Sequence, residues 1–181
     1  YFSNRIYSKK MNAHTIRTSE RILNAAELLF EKHGFEATSI RQIAEAAQAN
    51  SAAPNFHFTT KENLIKEVFR RRMQPLVQAR LELLRNVLSE NPKASVGGIY
   101  DSFVEPLIEL NKSTDKNKQA FLTLLTRNTL APRKEFDELL KTELADYVKA
   151  YVEALSLALP HLPVATVGIR FDLAMATIAR A

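Results

Sequence analysis

The stretch Asn50-Ser51-Ala52-Ala53-Pro54-Asn55-Phe56-His57-Phe58, followed by Thr59-Thr60-Lys61, sets small polar and small apolar side chains ahead of an aromatic cluster and a cation. These residue types suit contact with the edges of nucleic-acid bases. Asn55 carries the carboxamide that pairs with adenine through two hydrogen bonds, a contact that discriminates between bases by about 1 to 3 kcal/mol. Ser51 can donate or accept at a base edge, and the methyl groups of Ala52 and Ala53 match the thymine methyl. Plainer roles stand beside these: helix propensity for the alanines, an end cap for Asn55. Asn50 has the side chain of a helix N-cap, which predicts a short helix starting directly after it, with Ser51, Ala52 and Ala53 in the first turn. Pro54 is then the fourth helical residue, where it costs at most the first intrahelical hydrogen bond.

Lys61 is expected at the start of the next helix, capped by Thr59 or Thr60, with Glu62 at box spacing from Thr59. A cation at a helix N-terminus is unfavourable by roughly 0.3 to 1 kcal/mol, so its position needs another reason. A nucleic-acid phosphate at that end would be held by unpaired amides, the helix dipole and the ammonium together. Phe56 is expected beside such a backbone or in a small core, and Phe58 in the core.

The elements that must position these residues are helical. Four glycines in 181 residues, abundant Leu, Ala, Glu, Lys and Arg, and apolar spacing of three and four predict an all-α chain. Ile22, Ala26, Leu29 and Phe30 form a stripe on a helix from about Ser19 to His33, stopped by Gly34. A second, two-turn helix opens at TSIRQIAEAA, with Ser39 and Gln42 at capping-box spacing. From Thr59 a longer helix carries Leu64, Ile65, Val68 and Phe69 on one face. Beyond it, amphipathic patterns run from Val77 to Leu88, closing near Asn91-Pro92, from Val96 to Leu107, and from Phe121 to an end at Ala131-Pro132. STDKNK, residues 113–118, reads as a loop. A long segment from Arg133 to Leu159 and the terminal VATVGIRFDLAMATIARA complete the chain. Two short helices joined by a tight turn have helix-turn-helix geometry, in which the second helix enters the major groove.

Charge agrees with that geometry. Residues 1–80 hold 13 lysines and arginines against 7 acidic residues, whereas residues 81–181 hold 12 against 13, so the whole excess of +5 comes from the N-terminal part. A basic face of this kind suits a polyanion. Arg17 and Arg21 extend it as an N-terminal arm, whereas Arg70-Arg71-Arg72 lies some 14 Å along the helix from Lys61 and reads as solvated.

The run ILNAAELLFEKHGFEATSIRQIAEAA followed by HFTTKENL, within residues 18–66, resembles the DNA-binding domain of the TetR family of bacterial repressors. The resemblance implies that Thr38, Ser39 and Arg41 hold phosphate on one side of the groove and that His57 and Lys61 contact the backbone on the other. It also implies a C-terminal domain, residues 67–181, that binds a ligand and dimerises. Phe103, Leu107, Phe121, Leu124 and Leu125 are the expected lining of the ligand site. Their apolar character points to a small apolar effector, lipid-like or with an acyl chain. The long Arg133–Leu159 segment and the terminal helix are the expected homodimer interface, which would match a palindromic double-stranded operator. Where relatives usually have a turn glycine this chain has Gln48, at a cost of order 1 kcal/mol if φ is positive. Gln48 and Pro54 together motivate the alternative of a helical ligand-binding or scaffold protein that has lost sequence-specific DNA binding.

Other classes find little support. There is no cysteine, which removes disulfides and thiolate chemistry and fits a reducing cytoplasm. His14, His33, His57 and His161 are scattered, with no metal-binding spacing and no nucleophile–base set. The expectation is therefore no enzyme, no cofactor, no metal and no membrane span. Residues 1–17 are read as an N-terminal arm or, for the first ten, a cloning remnant or untranslated extension.

Overall fold

The computed structural model describes residues 2–91, 94–130 and 144–178, with side chains from residue 17 in the first of these segments and to residue 128 in the second. It divides into two compact units, Tyr1–Arg70 and Arg71–Ala181. All regular elements among the described residues are helices.

The first unit comprises α1 (Phe2–Ala37), α2 (Ile40–Ala46), α3 (Ala53–Phe58) and the opening residues of α4 (Lys61–Glu90). The helical run starts at Phe2 rather than near Ser19. No glycine or proline occurs before Gly34, so nothing in the chain halts propagation toward the N-terminus. Gly34 interrupts the helix as expected, with φ 80° and ψ 169°. Ile22, Leu23, Ala26 and Phe30 of α1 are buried together with Ile43 and Ala44 from α2, Ala47 at its C-cap, and Leu64, Val68 and Phe69 from α4. Burying each of the Ile, Leu, Val and Phe side chains in this set contributes about 1.5 to 3 kcal/mol. Phe35 follows the break and joins the core, its ring centroid 5.0 Å from Phe30 and 6.3 Å from Phe69. This small core holds α2 and α3 in fixed relation.

The second unit contains the remainder of α4 with α5 (Val96–Asn111), α6 (Lys116–Leu130), α7 (Ala145–Ala158) and α8 (Val164–Ile178). The two patterns read separately around Phe69 and Val77 are one 30-residue helix, with Pro75 inside it. Pro75 is on the exposed side, where the bend a proline imposes displaces little packing. Ser95 caps α5, its Oγ accepting from the Gly98 amide at 3.1 Å. Asp115 caps α6, its Oδ1 accepting from the Asn117 amide at 2.8 Å and the Lys118 amide at 3.3 Å. The helix therefore starts inside the expected 113–118 loop. The Lys118 amide leads the influences that hold the Asp115 carboxyl below its usual pKa. Of the segment expected to run from Arg133 to Leu159, residues 133–143, with Phe136 and Leu140, lie outside the described residues, as do Pro92, the Ala131-Pro132 end and residues 179–181.

The core of this unit is aromatic. Phe103, Tyr147, Tyr151 and Phe171 are buried in mutual contact, Tyr151 stacking on Phe171 at 5.3 Å and meeting Phe103 edge-on at 5.7 Å. Arg80 enters this cluster, its guanidinium carbon 4.0 Å from the Phe103 ring centroid. Its Nε donates to the Phe103 carbonyl at 2.8 Å and its Nη1 to the Tyr147 hydroxyl at 3.1 Å, while the Tyr151 hydroxyl donates to the Arg80 carbonyl at 3.0 Å. Burial lowers the Arg80 pKa and pushes both tyrosines up. A planar guanidinium suits this position because it stacks and donates at once.

Candidate nucleic-acid interface and effector cavity

The turn between α2 and α3 begins with the helix stop. The Gln48 amide donates to the Glu45 carbonyl at 3.0 Å and the Ala49 amide to the Ala44 carbonyl at 2.9 Å. This pair of reversed bonds is the Schellman arrangement, and Gln48 occupies its left-handed position with φ 50°. The carbonyls at the end of α2 are thus satisfied although no glycine is present.

Asn50 accepts as expected, its Oδ1 taking the Ala52 amide at 2.9 Å, but α3 does not start beside it. The helix starts at Ala53, with Ser51 and Ala52 in a preceding turn. Proline explains the shift. In a helix continuous from Asn50, the Asn50 carbonyl would receive the amide of residue 54, which has no proton to give. Instead the Ala53 amide closes a tighter turn on that carbonyl at 2.8 Å, and the first full-turn bond runs from Phe56 to the Ala52 carbonyl at 2.9 Å. Pro54 becomes the second residue of the helix rather than the fourth, and loses no intrahelical bond.

Pro54 also supplies the buried contact of α3, in place of Phe58, which is only half-buried. At about 100° per residue, Phe56 then stands roughly 200° round the helix from Pro54 and Phe58 about 40° from it. Accordingly Phe56 is 79% exposed, and Asn55 is exposed beside it. Ser51 and Ala52 continue this open surface, Ala53 is half-buried, and His57 is half-buried with its ring edge-on to Phe56 at 5.2 Å.

Beyond α3 the chain reverses in three residues. Thr59 has φ 65° and ψ −52°, and the Thr60 amide donates to the Phe58 carbonyl at 2.7 Å, which together define a γ-turn of the strained kind. Thr60 is the cap of α4, because its Oγ1 accepts from the Asn63 amide at 3.1 Å. Lys61 is therefore the first residue of α4, with Glu62 next to it in the first turn. The Lys61 ammonium reaches the Glu36 carbonyl at 3.4 Å, so part of the reason for a cation here is internal to the unit.

At the start of α2 the capping box is complete: the Gln42 amide donates to Ser39 Oγ at 3.2 Å and the Ser39 amide to Gln42 Oε1 at 2.8 Å. Ser39 and Arg41 are exposed. Thr38 is a correction to the phosphate-binding set. It is 1% exposed, and its Oγ1 lies 2.7 Å from the Gly34 carbonyl and 3.2 Å from that of Leu29. Its hydroxyl proton serves the end of α1, so its side chain ties the helix break rather than facing solvent.

In the second unit a cavity of about 660 Å³ opens between α5, α6 and the end of α8. Of the residues expected to line a ligand site, Leu107 and Leu125 are on its wall, but Phe103, Phe121 and Leu124 are buried in the core and are not. Phe103 turns away to stack under Arg80. Its place is taken by Val104, Ile108 and Asn111, which share one face of α5 with Leu107, and by Gln119, Leu122 and Arg127 on α6. The spacing 104, 107, 108, 111 is itself a helical stripe; nothing local distinguishes it from the stripe that is buried.

Comparison with known proteins agrees with this geometry. The family described as bacterial regulatory proteins, tetR family, matches residues 22–68, and that described as tetracyclin repressor-like, C-terminal domain, matches residues 101–181. The "Probable HTH-type transcriptional regulator YttP" of Bacillus subtilis (strain 168) is 34% identical over 53 residues, 29% of this chain and 26% of that protein, so the match spans about a quarter of the curated relative. Among solved structures, HlyIIR, a hemolysin II transcriptional regulator, aligns with a TM-score of 0.56 at 23% identity over 87% of this chain and 84% of its own. A SmeT–triclosan complex aligns with a TM-score of 0.55 at 23% identity over 79% and 64%. At such identities these structures establish the fold. Fold and family matches together define a helix-turn-helix regulator with a helical C-terminal domain. The chain belongs to the TetR family of bacterial transcriptional regulators.

Proposed function

We propose that this chain acts in the cytoplasm as a homodimeric repressor that binds a palindromic double-stranded operator and leaves it when a small apolar effector binds the C-terminal unit. The observation that carries this reading is the open surface made by Asn50, Ser51, Ala52, Asn55 and Phe56 on the second helix of the helix-turn-helix and the turn before it, within the basic part of the chain. Asn55 and Ser51 read base edges, and Lys61, His57, Ser39 and Arg41 hold phosphates on either side. The two residues behind the alternative, a scaffold without operator binding, weigh little against it. Gln48 sits in a fully bonded helix stop and Pro54 loses no helical bond.

Effector binding is supported by the 660 Å³ cavity, which lies within the range of about 300 to 1,000 Å³ usual for small-molecule sites. Its aliphatic side chains, Leu107 and Leu125 among them, favour a lipid-like or acyl-chain molecule. The similar SmeT forms a complex with triclosan. Dimerisation is supported by Leu157 on α7 and Val164, Ile169 and Leu173 on α8, all exposed large hydrophobics. Release then requires that effector and operator favour different separations of the two reading heads.

Fluorescence anisotropy with randomised and selected duplexes across a salt series tests the reading, and absence of sequence-selective binding would sink it. Lys61→Ala is expected to weaken all sequences alike and to lower the salt slope by about 1, whereas Asn55→Ala relaxes preference at one base pair. An unchanged salt slope in Lys61→Ala removes Lys61 from the phosphate set.

A further inference from the structure

Phe56 is 79% exposed, more than any other large hydrophobic among the described residues, and it stands opposite the one buried residue of α3. The sequence alone left it beside a DNA backbone or in the core. Its exposure removes the core, and its chemistry narrows what remains. A phenyl ring has no hydrogen-bonding atom, so it can neither hold a phosphate nor pair with a base edge as Asn55 can. What a groove offers such a ring is apolar surface. On the base edges of the major groove the only apolar group is the C5 methyl of thymine. The ring meets its neighbour His57 edge-on at a centroid distance of 5.2 Å and an interplanar angle of 83°.

We infer that Phe56 is a specificity-determining residue that reads the C5 methyl of a thymine in each operator half-site, adjoining the base pair addressed by Asn55. The inference rests on the operator-binding reading and adds a base preference to it. The exposed ring is then a recognition group whose hydrophobic cost in the unbound protein is recovered when thymine covers it. Contact with sugar carbons would give affinity without sequence preference, and that difference is measurable.

The test uses the full chain and a duplex selected by it from a random pool, in which each thymine is replaced singly by uracil, a change that removes only the methyl group. The expected result is a loss of about fourfold in affinity at one thymine per half-site, the worth of one buried methyl. Phe56→Ala, at an exposed position that leaves the core intact, is expected to bind the thymine and uracil duplexes equally. Phe56→Leu, which keeps an apolar side chain, retains most of the difference. A selected site without thymine in either half, indifference to uracil at every position, or the same uracil penalty in Phe56→Ala overturns the inference, the last assigning the methyl to Ala52 or Ala53. Selective binding with any of these results leaves the operator-binding reading intact, whereas failure to select any sequence removes both.

Discussion

Gln48 offers a change whose sign and size follow from the backbone. Its φ of 50° puts an L-residue in the left-handed region, which costs about 1 to 2 kcal/mol. Replacement by glycine removes that cost but adds about 0.5 to 1 kcal/mol of chain entropy lost on folding. The hydrogen bonds of the turn, Gln48 to Glu45 at 3.0 Å and Ala49 to Ala44 at 2.9 Å, are main-chain bonds and survive the substitution. The Gln48 side chain is exposed, so no buried packing is lost. Gln48→Gly is therefore expected to stabilise the protein by about 0.5 to 1 kcal/mol, raising Tm by roughly 1 to 4 °C for a chain of this size. Gln48→Ala keeps the Cβ that causes the strain and should differ from the parent by less than about 0.5 kcal/mol. Urea titrations of the three proteins decide the matter, read as midpoints at unchanged slope. If glycine is no more stabilising than alanine, the left-handed turn is not the source of strain and the reasoning fails.

Two further outcomes are expected. Burial raises the folded-state pKa of Tyr147 and Tyr151 above the ordinary 10.0, so the neutral phenols favour the fold. Their contribution is complete below the unfolded pKa near 10 and is lost as pH rises from there toward the raised folded values, by up to about 1.4 kcal/mol per pH unit for each tyrosine. Urea midpoints measured from pH 8 to 11.5 should be level to about pH 10 and then fall, and a level profile throughout contradicts the buried cluster. For the proposed dimer, Leu173→Glu sets a charge on the exposed face of α8, where Leu173 is 63% exposed in the single chain and lies one turn from Ile169. Sedimentation should show monomers and operator affinity should drop steeply, whereas an intact dimer moves the interface elsewhere.

Much of this protein was legible wherever the controlling interactions are local. The Ser39–Gln42 capping box, the helix break at Gly34 and the Asn50 side chain accepting two residues on were all read from neighbours in the chain, and each is present. The helix-turn-helix follows from such signals, because caps, turns and apolar stripes depend on residues within four or five positions. Even here proline moved a boundary: it is recognisable as costly in a helix starting at Asn50, but the tighter turn through Ala53 that avoids the cost is visible only in the backbone hydrogen bonds. Lys61 likewise acquired a partner, the Glu36 carbonyl, from 25 residues away.

What only the tertiary structure decided is which face each apolar stripe turns inward. Phe103, Phe121 and Leu124 look no different in sequence from Leu107 and Leu125, yet the first three are core and the last two line the cavity. Thr38 reads as an exposed helix-start residue, yet it is buried and its hydroxyl donates to the carbonyls of Gly34 and Leu29, four and nine residues back across the break in α1. In the aromatic core the Arg80 guanidinium donates to the Phe103 carbonyl and the Tyr147 hydroxyl, 23 and 67 residues away, and the Arg80 carbonyl accepts from the Tyr151 hydroxyl, 71 residues away. Periodicity along one helix marks a stripe as apolar, but whether a neighbouring helix covers it or leaves it open to a ligand depends on contacts between segments distant in the chain, and those exist only once the helices have packed.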